Sequence, residues 1–226
     1  MRRRAEPFKI KTLTTVHNAI LFFLSLYMAI ETLRCVKELH FDRGQFFCLP
    51  VETLATKNTV AFKAPAAHRL ARVLHLHYLS KMYEFVDTFI MILKKNNRQI
   101  TFLHVYHHAL TFFPFWWATV RYSPGGEAWM VCALNSFIHV LMYGYYLLAG
   151  LGWSPGLTYK KLVTRSQMLQ FILIVAHASY TLARDCVRPR LVQLEMIVHG
   201  GILLALFTNF YITSYRRIPP QRKKLL

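Results

Sequence analysis

Residues 102–117 read FLHVYHHALTFFPFWW, an apolar and aromatic run broken by His104, His107 and His108. Positions i, i+3 and i+4 share one face of a helix, so the three imidazoles are expected to point the same way. Ionisable groups at membrane depth are costly, and they usually face a bundle interior where they serve function. One histidine there reads as a satisfied core residue. Three in one run mark a candidate site inside a helical membrane bundle.

The composition agrees. The chain has 226 residues, 54% of them hydrophobic and 15% aromatic, with a mean hydropathy of +0.28. Soluble domains lie near ~45–50% apolar. Hydropathy predicts six spans, at roughly 13–33, 73–93, 102–120, 127–149, 165–183 and 191–213. Arg2, Arg3 and Arg4 precede the first, as in a signal peptide. No small-residue cleavage site follows its apolar run, only Glu31, Thr32, Leu33 and Arg34, so it reads as a retained span. The expected fold is an all-α polytopic bundle forming one domain over residues 1–226. Three spans followed by three more allow two inverted halves, although no internal repeat is visible.

A net charge of +18 would suggest nucleic acid in a soluble chain. Here most of the basic residues lie between spans, where orientation and contact with anionic headgroups or phosphates account for them. No nucleic-acid partner is expected. Six spans put both termini on one side, and a cytosolic assignment gives that side more of the Lys and Arg. The chain ends Lys223-Lys224-Leu225-Leu226, which is similar to the cytosolic dilysine address of endoplasmic reticulum membrane proteins. Cys48 and Cys186 then fall on the lumenal side, where an oxidising compartment permits a bridge. Cys35 lies near the same face and leaves the pairing open. Cys132 reads as a small apolar residue within a span.

Further polar groups fall inside the predicted spans. Lys81, Glu84 and Asp87 are spaced by three and share a face, where Lys81 and Glu84 can pair. Asn135, His139 and Tyr143 are spaced by four, placing Asn135 to orient the His139 imidazole. Thr164, Gln167 and Gln170 step by three, and buried amides in lipid bond across helices. His177 and His199 stand singly and read as packing residues. His75 and His77 point to different faces. The aromatic run from Phe112 to Trp117 fits an interfacial belt or a tunnel lining.

Four blocks, KMYEFVDTFIMILKK, HVYHH, NSFIHVLMYGYY and TRSQMLQF, in this order and spacing, closely resemble the very-long-chain fatty acid elongases of the endoplasmic reticulum, the ELO family. The similarity runs from about Glu6 to the C-terminus. Members commonly have seven spans, and this chain begins where the second normally starts. The first block also ends Leu93-Lys94-Lys95 where the family usually has L-R-K, which keeps the charge but loses a planar fork.

The resemblance implies a helical barrel around an acyl tunnel and condensation of a long acyl-CoA with malonyl-CoA to 3-ketoacyl-CoA, carbon dioxide and CoA. No metal or cofactor is implied. His107 and His139 are the candidates for the reacting pair of a ping-pong route, and His104 and His108 would hold geometry and stabilise developing negative charge. Lys81, Glu84, Asp87, Asn135, Tyr143, Gln167 and Gln170 would support them. Lys94, Lys95, Lys160, Lys161 and Arg165 would meet CoA phosphates at the cytosolic mouth. A ketoacyl reductase, a dehydratase and an enoyl reductase are the partners that would complete the cycle, and homo-oligomers are compatible with it.

Two other classes share parts of the pattern. Di-iron membrane desaturases and hydroxylases also use H-x-x-H-H, but two irons need many ligands, and here one such box stands beside His139 and scattered histidines. A transporter would also place charged groups in the bilayer, without calling for this histidine cluster.

Overall fold

The computed structural model describes residues 6–41, 65–122, 128–153, 156–185 and 190–216, with the side chains of residues 40, 41, 118 and 120–122 excepted. Cys48, Cys186, Lys223 and Lys224 lie outside the described residues. The described elements are helical: α1 (Lys11–Phe41), α2 (Pro65–Tyr83), α3 (Phe85–Leu93), α4 (Phe102–Tyr122), α5 (Ala128–Gly150), α6 (Gly156–Ala183) and α7 (Leu191–Tyr211). A short 3-10 turn, Asn97–Gln99, joins α3 to α4, and a π turn, Ile212–Arg216, extends α7.

Local chemistry sets these limits. Pro65 opens α2, where its missing N–H costs nothing. Gly152, at φ 102°, closes α5 in a Schellman motif, with Trp153 N–H on the Leu148 carbonyl at 3.0 Å and Gly152 N–H on that of Ala149 at 3.2 Å. α2 and α3 form one bent rod. Glu84 N–H still reaches the Ser80 carbonyl at 2.9 Å, but Asp87 N–H bonds Glu84 itself at 3.0 Å, so the helix tightens at the carboxylate it carries inward.

The helices close into a ring. α1 packs against α5 and α2, α2 against α4, α4 against α7, α7 against α6, and α6 against α5. Two apolar clusters fill it. One joins α1, α2 and α5 through residues such as Met28, Val36, Leu70, Leu74 and Cys132. The other joins α4, α6 and α7 through Phe171, Leu203, Phe207 and Tyr106. The outer surface bears large apolar side chains, Phe23, Leu33, Phe89, Phe113 and Val198 among them, as a lipid-facing wall requires.

Three helices are long and apolar enough to cross a membrane by length and composition: Lys11–Leu39, Ala128–Gly150 and Leu191–Arg216. The remaining three of the six expected spans fall short of that measure for physical reasons. The α2–α3 rod is interrupted and carries Lys81, Glu84 and Asp87, α4 carries three histidines, and α6 begins with Lys160, Lys161 and Arg165.

The contact between α6 and α7 depends on a missing side chain. A Cβ at Gly200 would stand 3.0 Å from Val175 Cγ2, whereas one at Gly201 would meet nothing within 4 Å. Gly200→Leu is therefore expected to destabilise the fold by ~1–3 kcal/mol through overpacking. Gly201→Leu should leave it nearly unchanged, and thermal unfolding in detergent measures both.

Candidate functional site

The first spans build the centre of the ring. Lys81 on α2 and Glu84 at the bend are 4% and 2% exposed. Their ion pair measures 2.8 Å from Nζ to Oε1, and Lys81 also donates to Asn135 Oδ1 on α5 at 2.6 Å. His139, one turn along α5 and buried, places Nδ1 3.3 Å from the same Glu84 oxygen. One carboxylate oxygen thus serves two donors. The expected Lys81–Glu84 pair forms, but Asn135 does not orient His139. It caps the lysine, and Glu84 orients the imidazole, leaving Nε2 free to accept.

Asp87 has separate partners. Asp87, six residues beyond Lys81 and so about 120° from it around a helix, faces α1 and α5, where His17 Nε2 lies 3.0 Å from Oδ1 and Tyr143 donates to Oδ2 at 2.6 Å. Tyr143 is fully buried, and its ring stands edge-on to His139 at 5.5 Å. Asp87 and Glu84 are therefore held by two adjoining networks that meet across α5.

The three α4 histidines come together, but they do not all point the same way. His104 and His108, one turn apart, have ring centroids 4.4 Å apart and face α3. There His104 Nε2 bonds the Thr88 hydroxyl at 2.9 Å, and His108 lies 6.1 Å from the Phe85 ring. His107 precedes His108 by one residue, about 100° around the helix, and turns inward against Phe207 at 6.2 Å. Its Nδ1 is enclosed and has no hydrogen-bond partner.

His107 lines a cavity, open on one side, whose wall is shared by α2, α4, α5, α6 and α7. Lys81 and Asn135 form part of its wall, Thr111, Pro114 and Phe115 continue it along α4, and Phe171, Ile174 and Leu203 make an apolar side. Gln170, 4% exposed, also lines it. Gln167 does not reach the cavity wall. Its amide lies 3.7 Å from Met142 Sδ, tying α6 to α5.

The basic residues gather at one end of the bundle. Phe8 N–H bonds the Leu93 carbonyl at 3.1 Å, Gly150 lies against Thr15, and Arg165 Nε reaches the Tyr211 hydroxyl at 2.9 Å. These contacts put the start of α1, the ends of α3, α5 and α7, and the start of α6 together. Lys94 and Lys95 are exposed there, Lys160 and Lys161 half-buried. Arg165 is already engaged by a phenol, which also takes its guanidinium over the ring at 5.5 Å.

Some residues of this interior lay beyond the sequence reading. His17 is a lone histidine just before the apolar run of α1, and the rule applied to the α4 histidines would have singled it out. Thr88 gives no such signal, since a hydroxyl beside Asp87 is unremarkable until α4 is docked on it. His77 is buried against Phe115 at 4.5 Å, whereas His75 is exposed, as their spacing predicted. His177 packs on Trp129. Among the described residues, no group of three or more His, Cys, Asp and Glu side chains is arranged to hold a metal ion.

Comparison with known proteins places the sequence in a family. The chain matches ELO, described as the GNS1/SUR4 family, over residues 1–224. It is 39% identical over 223 residues to very long chain fatty acid elongase 5 of Homo sapiens, spanning 98% of this chain and 70% of that protein. The protein of the same description from Pongo abelii is 40% identical over the same shares, and that of Xenopus laevis is 36% identical over 220 residues, 97% of this chain and 70% of its own length. A family match over residues 1–224 and this identity across nearly the whole of the chain make it a member of the ELO family.

Proposed function

We infer that this chain is a multi-pass membrane enzyme that carries out the condensing step of fatty acid elongation, with His107 and His139 as its reacting pair. Membership of the ELO family, whose relatives are named fatty acid elongases, supports the reaction class, joining an acyl-CoA to malonyl-CoA. The observation that carries the residue assignment is His107, the inward member of the α4 cluster, lining a cavity beside the Lys81–Asn135 pair.

Acyl transfer proceeds in two halves. His107 attacks the thioester carbon, the C–S bond breaks, and the imidazole proton leaves with CoA as the free thiol. Malonyl-CoA then enters and loses carbon dioxide, and the resulting enolate carbon attacks the acyl-imidazole. The C–N bond breaks and the imidazole recovers a proton, giving 3-ketoacyl-CoA. No cofactor enters this balance. His139, held by Glu84, moves protons at Nε2, while Lys81 and the His104–His108 pair supply the field that stabilises the thioester oxyanion and the enolate. The basic end formed by Lys94, Lys95, Lys160 and Lys161 receives the CoA phosphates. It faces the cytosol of the endoplasmic reticulum membrane, with a reductase, a dehydratase and an enoyl reductase downstream. A di-iron reading has less support, because His104 Nε2 and His139 Nδ1 are already engaged by Thr88 and Glu84.

Incubating the purified protein with a long-chain acyl-CoA alone should add one acyl mass to the intact protein, and malonyl-CoA should remove it. His107→Ala should show no adduct and lose about 10²–10⁴-fold in condensation. Condensation without any adduct would exclude the covalent route and leave histidine acting as base.

The central pair separates stability from chemistry. Glu84→Leu alone strands a buried ammonium and is expected to cost about 3–5 kcal/mol. Lys81→Met combined with Glu84→Leu should recover most of that stability in thermal unfolding. Condensation by the double variant should stay at least ~10²-fold low, because His139 has lost the group that orients it.

A further inference from the structure

The cavity holds a second polar group of side chains that the condensation steps leave unused. Gln170 on α6 and Glu195 and His199 on α7 all line it. The Gln170 carbonyl oxygen and His199 Nε2 are buried and have no hydrogen-bond partner. His199 stacks on Tyr106 with ring centroids 6.2 Å apart, so the ring is held without its nitrogen being satisfied. Glu195, one turn from His199 toward the start of α7, is half-buried, and no ion pair or hydrogen bond to it occurs among the described residues. Around them the wall is mostly apolar, with Phe171, Ile174 and Leu203 nearby.

An unbranched hydrocarbon chain filling such a space would displace any water and leave a carbonyl, an imidazole nitrogen and a carboxyl facing methylenes. Unpaired buried polar groups are costly, and sites built around them discriminate strongly for a ligand that pairs them. We propose that Gln170, Glu195 and His199 form a recognition subsite for a hydroxyl group on the acyl chain, making hydroxylated acyl-CoAs preferred substrates. Gln170 accepts from the hydroxyl, and Glu195 and His199 bond its oxygen or proton according to the position of the group. The subsite lies in the same cavity as His107 but on the walls of α6 and α7, so the hydroxyl sits along the chain and away from the thioester. This inference rests on the condensing activity inferred above.

The test compares acyl-CoAs of one length, either saturated or carrying one hydroxyl scanned along the chain, in malonyl-CoA-dependent condensation by the full-length protein in nanodiscs. At one hydroxyl position kcat/KM is expected to exceed that of the saturated chain by at least ~10-fold. Glu195→Leu with His199→Phe should bring that ratio toward one. The isosteric Glu195→Gln, which keeps shape and hydrogen-bonding capacity, should retain most of it. A saturated chain preferred over every hydroxylated one by the unmodified protein overturns the subsite while leaving the condensing activity intact. A hydroxyl preference that survives in the double variant also overturns it. Absence of condensation with every acyl-CoA overturns the reaction assignment and this inference together.

Discussion

A lysine ammonium and a glutamate carboxylate buried together inside a membrane bundle place a constraint that the rest of the interior obeys. Neither charge is tolerable alone in so apolar a setting, so each must be met by further polar groups at fixed positions. Lys81 takes the Asn135 carbonyl as well as Glu84, and Glu84 takes the His139 imidazole as well as Lys81. The pair therefore fixes the register of α2 against α5. It also fixes which nitrogen of His139 is occupied and which is free.

The same logic explains the part played by α1. It lines none of the cavity, yet its His17 reaches the carboxylate of Asp87, to which Tyr143 also donates. Without α1 that carboxylate would keep the Tyr143 hydroxyl and lose the His17 contact. The ring has a further regularity. Exchanging α1, α2 and α4 for α5, α6 and α7 respectively maps the six contacts around the ring onto one another, whereas the contacts of α5 with α2 and α4 across it have no counterpart of similar extent. α1 and α5 run in opposite directions, with Phe22 near Gly144 and Thr15 near Gly150. This is the adjacency that two inverted three-helix halves would produce, although the sequence carries no visible repeat. Packing relations survive substitution better than residue identities do, because volume and polarity matter to them more than names.

Much of this was legible in the residues. The helical class followed from apolar length, and the Lys81–Glu84 pair and the clustering of His104 with His108 followed from helical spacing alone. What the sequence missed shares one cause. Spacing within a helix says which residues share a face, not what stands opposite it. Asn135 is four residues from His139 and reads as its partner, yet α2 presents Lys81 to the amide and Glu84 to the ring. Asp87 continues the Lys81–Glu84 spacing, but two steps of three residues leave it about 120° from Lys81 around the helix, and it meets α1. His107 shares its run with His108, and the 100° between neighbours on a helix is enough to put one at the cavity and the other against α3.

The reacting group's identity can be argued from where the thiols lie. Condensation needs a nucleophile that carries an acyl group and then leaves. Thiolate is the stronger candidate in general, but it must reach the cavity with a base beside it. Cys35 and Cys132, the free cysteines among the described residues, are both buried in the apolar cluster of α1, α2 and α5. Cys132 meets hydroxyls, that of Thr32 at 3.4 Å and that of Ser136, which cannot serve as a base. Imidazole needs no such activation, because its neutral form is already a nucleophile and its acyl derivative is reactive enough to pass the chain onward. On the proposed covalent route, an interior that excludes water would protect that derivative from hydrolysis, which gives the apolar wall opposite His107 a part in the chemistry beside the polar one.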